Sequence, residues 1–173
     1  MIYQSMSGAA ESGTATFTMK GGTLTGRNGD QIYVTNTHSV ITLEDVTITN
    51  QDTSSRLLAV LGNDATRGWG TAGANGGQVE LRTTNQTLSG AIEVDTVSTL
   101  NFTMGKGTNF TGTINIVKNA EGGTAVDNNA VITVEEGATW TLTGNVTITS
   151  LENKGTINFN GYTITLADGT VLK

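Results

Sequence analysis

The side chains best suited to bind a ligand lie in a glycine-rich segment, residues 62–77, in which Trp69 is the one large apolar residue. An indole ring can stack on the face of a sugar ring, while Asn63, Asp64 and Arg67 can hydrogen-bond hydroxyls or a carboxylate. These four residues are therefore the predicted ligand-binding set. The alternative is that Trp69 folds back and plugs the side of the domain while Arg67 makes a surface ion pair.

A second group of polar side chains is acidic and lies in the first third of the chain. It comprises Asp30, Glu44, Asp45 and Asp52, with Asn28 and Asn36 nearby. Carboxylates brought together from distant positions can bind Ca²⁺ or perform acid–base chemistry. We favour the interpretation that they are solvated turn residues, with Asp30 capping a backbone turn. The full Gly-Gly-x-Gly-x-Asp nonapeptide repeat of a calcium site is missing, and no metal site is predicted.

Nucleophilic catalysis has few residues to use, because the chain contains no Cys and a single histidine, His38. A triad would have to pair His38 with a serine such as Ser39, but adjacent residues of a strand point to opposite faces. We therefore predict that His38 is a turn residue. No catalytic residue and no cofactor are predicted, and the chain is not expected to be an enzyme.

Charge and hydropathy exclude other partners. Nine basic against fifteen acidic residues give a net charge of −6, which disfavours binding to nucleic acid. No apolar run approaches the roughly 20 residues of a membrane-spanning helix, so membrane insertion is not expected.

The elements that must position these side chains are short strands, because apolar residues alternate with polar ones along most of the chain. The alternating segments include 16–19, 40–43, 79–81, 100–102, 131–134 and 157–159. The chain also contains no proline, which cannot donate to a β-ladder and is confined mainly to edges and turns. This favours strands that have a paired neighbour on each side.

A longer repeat is superimposed on this alternation. One copy runs from Val79 to Val94 and the next from Leu100 to Ile116, with Gly90 and Gly112 in equivalent positions 22 residues apart. We align a third copy, Ile132 to Ile148, on Gly144. The ten additional residues of this copy are assigned to the polar segment 119–128. Repeats that cannot bury an apolar face alone are typical of stacked solenoids.

The predicted fold is an all-β, right-handed, single-stranded parallel β-helix (a β-solenoid) of about six to seven coils. It would occupy residues 1–173 as a single domain, with an inserted loop at 62–77. The hand follows from the strong preference of parallel crossovers. The alternative is an antiparallel sandwich, for which Asn28-Gly29, Asn75-Gly76 and Asn160-Gly161 are candidate hairpin turns.

Pairs of threonines that flank one apolar residue, such as Thr23 and Thr25 or Thr147 and Thr149, should point outward together. Stacked coils would align them into arrays like those of ice-binding solenoids. We favour the simpler interpretation that threonine suits a half-exposed pleated surface, because coils of unequal length would break a regular lattice.

Four segments resemble bacterial secreted parallel β-helix proteins of the carbohydrate-binding or adhesin type. They are residues 29–37 (GDQIYVTNT), 41–50, 67–70 (RGWG) and 161–170 (GYTITLADGT). The resemblance covers nearly the whole chain, but its motifs are those of a scaffold. It implies an extracellular location and glycan binding, and it identifies no catalytic residue.

The sequence is accordingly interpreted as a non-catalytic module that binds a polysaccharide or host glycan at a bacterial cell surface. The alternatives are a purely structural stalk and a polysaccharide lyase or hydrolase. Residues 1–7 lack the features of a signal peptide, and we expect the chain to be a segment of a larger surface protein. The last three residues are too few to cover the final coil, so some end-to-end self-association is expected.

Overall fold

A computed structural model gives the fold of residues 2–5, 13–64 and 71–173. Within these ranges the chain forms strands and turns and contains no helix. It follows that none of the described residues belongs to a helix capable of crossing a membrane. The strands are β1 (Ile2–Gln4), β2 (Thr14–Lys20), β3 (Thr23–Gly26), β4 (Ile32–Val34), β5 (His38–Glu44), β6 (Thr47–Asn50), β7 (Leu58–Val60), β8 (Gln78–Thr84), β9 (Thr87–Asp95), β10 (Thr99–Met104), β11 (Asn109–Val117), β12 (Ala130–Val134), β13 (Thr139–Leu142), β14 (Val146–Ile148), β15 (Ser150–Asn153), β16 (Thr156–Asn158), β17 (Ile164–Leu166) and β18 (Val171–Leu172).

These strands form three sheets in which strands distant in sequence lie side by side. The first sheet follows the path β1-β4-β7-β9-β11-β14-β17-β18, with β13 and β16 joined to it through β11. The second has the order β15-β12-β10-β8-β5-β2, and the third is the pair β3–β6. Fourteen of the fifteen strand pairs in the described ranges are parallel. This all-β, parallel arrangement is consistent with a β-solenoid and excludes the antiparallel sandwich.

The core lies on the inward faces of these strands. Ile32, Leu58, Ile92 and Ile114 stand opposite one another on successive strands of the first sheet, and all are almost completely buried. The second sheet shows the same alternation, because successive side chains of a strand point to opposite faces. Each aliphatic side chain buried in this way stabilises the fold by about 1.5–3 kcal/mol.

The predicted repeat is confirmed for the first two copies. In the third copy it is wrong by two residues as far as Leu142 and right again from β14 onward. Gly90 lies opposite Gly112, as the 22-residue spacing predicts. Leu142, not Gly144, lies opposite Gly112. The register changes between β13 and β14, where Asn115 faces Thr147. Two additional residues are therefore accommodated at the bend around Gly144.

Trp140 occupies the core position that this misalignment assigned to Leu142. It lies opposite Phe110, is completely buried and stacks on the phenyl ring with centroids 5.9 Å apart. Its indole N–H donates to the carbonyl of Gly112 at 3.1 Å, so its polar atom is satisfied inside the core.

The threonine stacking is present in part. Thr23 faces Thr47 and Thr25 faces Thr49 in the third sheet, and Thr147 faces Thr165 in the first. Elsewhere the columns are interrupted, since Asn109 stands between Thr87 and Thr139. A continuous threonine array does not form in these columns.

The C-terminal end differs from the rest of the fold. β18 turns back and pairs antiparallel with β17, placing Leu172 opposite Ile164 and partly against the core. The last residues, expected to be too short to cover this end, thus cover the edge of β17.

Candidate functional site

The segment predicted to bind a ligand borders a cleft of about 150 Å³, which we call the loop cleft. Its walls are formed where β7, β9 and β11, neighbours in the first sheet, reach their carboxyl ends. The lining residues are Arg56, Leu61, Asp64, Asp95, Val117, Lys118, Asn119 and Ala120. At about 30 Å³ of liquid per water molecule, the cleft has room for about five waters.

Asp95 fixes the floor of the loop cleft. This carboxylate is 2% exposed, and its Oδ2 accepts hydrogen bonds from Gly62 N at 2.8 Å and Asn119 Nδ2 at 2.6 Å. Its Oδ1 accepts a third, from Val97 N at 3.3 Å. One buried acid therefore ties the loop after β7 to the loop after β11.

Asn119 and Asn63 extend this network. Asn119 Nδ2 also lies 3.2 Å from the carbonyl of Asn63. Asn63 is 3% exposed, and its side-chain amide donates to the carbonyl of Thr71 at 3.0 Å. Asn63 thus ties the start of the 62–77 segment to Thr71.

The same two loops touch through glycines. A Cβ atom on Gly123 would lie 1.9 Å from the carbonyl oxygen of Gly73, closer than real contacts allow. Both residues also have positive φ, 68° at Gly73 and 91° at Gly123, which favours glycine. The 62–77 segment and the 119–128 segment were predicted separately, and the structure packs them against each other.

Arg56 lines the loop cleft from the side and is held by two acids. Its Nε and Nη2 donate to the two carboxylate oxygens of Asp30 at 3.0 and 2.8 Å, and Nη1 donates to Glu93 at 2.6 Å. The hydrogen bonds to Asp30, more than those to Glu93, raise the pKa of the Arg56 guanidinium. Because Asp30 is nearly buried, removing Arg56 would leave a carboxylate poorly compensated, at a cost of about 3 kcal/mol.

Charged groups of both signs consequently face one small cavity. Asp64 supplies a carboxylate, while Arg56 and the exposed Lys118 supply cationic donors. Such groups bind hydroxyls and carboxylates through charge-assisted hydrogen bonds, which are the stronger kind. Of the four predicted ligand-binding residues, Asp64 lines the cleft, and Asn63 is buried and is not among the lining residues. Arg67 and Trp69 lie outside the described residues.

His38 is not a turn residue, so that prediction is wrong. It begins β5, because the parallel register carries this strand up to the position opposite Thr14. Its Nδ1 lies 3.2 Å from Thr14 Oγ1 and its Nε2 lies 3.1 Å from Glu80 Oε1. A hydroxyl, an imidazole and a carboxylate are thus connected in the order of a hydrolytic triad, but the two ring nitrogens are exchanged, because in the triad Nε2 faces the hydroxyl and Nδ1 faces the carboxylate. They lie on the outer face of the second sheet, without the water-excluded pocket that strengthens an oxyanion site.

The acidic set is dispersed. Asp30 is buried against Arg56, so the expectation that it is solvated is wrong. The cause is that Arg56 of the neighbouring strand segment reaches both of its oxygens. Instead of capping its own turn, its Oδ1 accepts from the backbone N–H of Arg56 at 3.2 Å. Glu44 pairs with Lys20 at 2.8 Å. Asp52 accepts from Gly29 N and from Ser54, as a turn residue would. Across the described ranges, no three His, Cys, Asp or Glu residues are grouped so that they could hold a metal.

Sequence reasoning missed Asp95, Asn119 and Arg56, which organise the loop cleft. A signal was available for Asp95, because it directly follows the alternating core residues Ile92 and Val94 and ends a strand. The partners of Asp95 come from other strands, so its role could not be inferred from its own neighbours in the sequence.

Comparisons with known proteins identify no relative of this chain. No protein-family model, no curated protein and no solved structure matches this chain. The resemblance to bacterial secreted β-helix proteins stays a prediction, and the function has to be argued from the residues themselves.

Proposed function

We propose that this chain is a non-catalytic carbohydrate-binding module of a bacterial surface or secreted protein, with a polysaccharide or host glycan as its ligand. The loop cleft carries this proposal. It lies beside the segment that the sequence singles out, and Asp64 lines it together with donors of opposite charge.

The chemistry of the loop cleft suits a hydroxylated ligand. Sugar hydroxyls both donate and accept hydrogen bonds, and Asp64 offers an acceptor while Arg56 and Lys118 offer donors. With about 150 Å³ of space, the cleft would hold the edge of a sugar and leave the rest of a glycan chain outside. Trp69 is proposed to stack on that exposed part.

We further propose that the strands wind into a right-handed single-stranded β-helix of six to seven coils. The parallel ladders support it, since parallel crossovers are right-handed in about 98% of cases. A crystal structure tests the proposed hand and coil number, and a left-handed path would overturn the former.

Retention on immobilised polysaccharides in native affinity gels tests the binding function. The full chain should be retarded by at least one polysaccharide of a broad panel. Asp64→Asn and Trp69→Ala should each remove most of that retardation. Asp127→Asn, which removes one exposed charge from the 119–128 segment, is the matched control and should behave like the original chain.

Two results would overturn the proposal. One is the absence of retardation on every polysaccharide together with an empty glycan array. The other is retardation that both cleft variants retain in full. Release of unsaturated or reducing ends from a polyuronate would instead favour the lyase or hydrolase alternative.

A structural stalk is the second candidate, and one observation favours it. The buried polar groups at the floor of the loop cleft already satisfy one another, since Asp95 accepts from Gly62 and Asn119. On this interpretation the two loops brace the stack and bind nothing. End-to-end self-association, which suits a stalk, is also proposed, and sedimentation velocity showing only monomer at high concentration would contradict it.

A further inference from the structure

A larger opening lies at the other end of β8, where the strand stack is interrupted. It has a volume of about 310 Å³ and is lined by Asp45, Val46, Thr47, Ile48, Asn85 and Thr87. We call it the strand-gap cleft. β8 starts just after the 62–77 segment and ends at Thr84, next to Asn85, so the two clefts flank opposite ends of one strand.

The gap exists because β6 and β9 are adjacent but do not pair. β6 pairs with β3, and no ladder joins it to β9 in the described part of the chain. Pairing is intact on either side, where Glu44 faces Thr84 and Leu58 faces Ile92. The opening is therefore a local separation between β6 and β9. The strands before β6 and after it, β5 and β7, are paired with β8 and β9.

Gln86 holds the separation. It is fully buried, and its side-chain amide bonds both backbone groups of Val46: Oε1 accepts from Val46 N at 3.0 Å and Nε2 donates to Val46 O at 2.6 Å. The amide takes the place of a peptide group of a neighbouring strand. The residues at the same corner of the following strands, Thr108 and Ala138, are shorter, and there the strands pair directly.

The corner residues that border the gap also differ from their equivalents. Asp45 and Asn85 have positive φ, 54° and 47°. At the corresponding corner, the earlier and later parts of the chain use the glycines Gly21, Gly107 and Gly137, also at positive φ. Asp and Asn are the non-glycine residues that adopt this conformation most readily, so both corners keep the same turn and add a polar side chain to the lining of the gap.

We infer that the strand-gap cleft is a binding site for a neutral hydroxylated ligand of the size of one sugar ring. Its walls offer one carboxylate, one carboxamide and the hydroxyls of Thr47 and Thr87, with Ile48 as an apolar surface. At about 30 Å³ per water, the volume of about 310 Å³ has room for about ten waters, which is enough space for one sugar ring.

Other ligand classes fit the strand-gap cleft less well. An anion would meet Asp45 in a chain of net charge −6. A calcium ion prefers six to eight oxygen ligands, and Asp45 is the one carboxylate among the lining residues. An inserted peptide strand would require about twice the 4.8 Å strand spacing, while Gln86 bridges the same two strands with a single side chain.

The inference is tested by NMR on the full ¹⁵N-labelled chain, titrated with the methyl glycosides of glucose, galactose, mannose and N-acetylglucosamine. At least one should shift the amide signals of residues 45–48 and 85–87 in a saturable manner. Thr47→Trp, which fills the mouth of the cleft, should weaken that binding at least tenfold. Thr87→Val, which removes one hydroxyl, should weaken it several-fold and serves if the tryptophan variant does not fold.

Thr111→Val is the matched control, because Thr111 is an exposed strand threonine outside the cleft lining, and it should bind like the original chain. The inference is overturned if no glycoside shifts these amides, if the shifts persist in both cleft variants, or if CaCl₂ alone produces them. Shifts confined to residues 61–64 and 117–120 would refute this site while supporting the loop cleft. The two proposals therefore fail separately.

Discussion

The loop cleft and the strand-gap cleft interrupt the same stack of strands in different ways. The loop cleft arises where two long loops leave the first sheet, and a buried carboxylate, Asp95, joins them. The strand-gap cleft arises where one neutral side chain, Gln86, is inserted between two strands. The loop cleft has charges of both signs on its walls, whereas the strand-gap cleft has one carboxylate among hydroxyls and an amide.

This difference shows where concave surfaces come from in a stacked β-fold. Regular pairing, as between β9 and β11 over nine residue pairs, leaves a continuous pleated surface. A cavity requires a local departure from that pairing. Each departure leaves backbone groups that need new partners, and here a buried Asp and a buried Gln supply them.

The largest expected effect is the loss of stability caused by removing Asp95, which belongs to the loop cleft and not to the strand-gap cleft. Asp95→Ala removes the acceptor of Gly62 N, Asn119 Nδ2 and Val97 N. A buried donor left unsatisfied costs about 1–3 kcal/mol, so we expect a loss of about 4 kcal/mol in the free energy of unfolding, measured by urea denaturation. Asp127→Ala should change it by less than about 0.5 kcal/mol. Equal effects would mean that Asp95 does not join the loops.

Gln86→Leu should have a smaller effect on stability. It preserves most of the buried volume but leaves the backbone groups of Val46 and the carbonyl of Thr87 without the amide. We expect a loss of about 2 kcal/mol in the same denaturation experiment, with Gln78→Leu, an exposed glutamine on β8, as the control. A neutral or stabilising result would show that the amide is not what holds β6 and β9 apart.

The smallest expected effect is a change in the pH dependence of stability. It concerns the turn that contains Asp52, which lies outside both clefts. The hydroxyl of Ser54, followed by the backbone N–H groups of Gly29 and Ser54, lowers the pKa of Asp52. A lowered folded-state pKa stabilises the protein above the ordinary value of about 3.9. That stabilisation is lost as the pH falls through the folded-state value.

Asp52→Asn should therefore lose less stability than the original chain between about pH 5 and pH 2, as followed by denaturation at each pH. Asp127→Asn controls for the removal of one carboxylate. An unchanged pH dependence in Asp52→Asn would indicate that this turn does not stabilise the charged form.

Much of the fold follows from local patterns. The alternation of apolar residues predicted the strands, and the spacing of Gly90 and Gly112 predicted their register because no residue is inserted between these copies. The register around Gly144 could not be predicted in this way. There the bulky Trp140 fills the position of Phe110, and two residues are accommodated at the bend, so matching glycine to glycine misplaced the strand.

The candidate sites were less predictable than the strands. The location of the loop cleft was visible as a break in the alternation, but its chemistry depends on Arg56, Asp95 and Asn119, which belong to three different segments. Which of them meet is decided by the lengths of the loops between neighbouring strands. The role of Gln86 could not be predicted for the same reason, because its side-chain amide contacts Val46, 40 residues earlier in the sequence.

The reversed direction of β18 has a consequence for polymer growth. A fibre built by adding molecules head to tail would need each new molecule to continue the parallel ladders of the last one. In the first sheet the terminal edge is already occupied by a strand running the other way, so that ladder cannot simply be copied across the junction. β18 therefore blocks growth through the first sheet at this end, and the proposed end-to-end association would have to pair the terminal strands of the second sheet, β2 and β15.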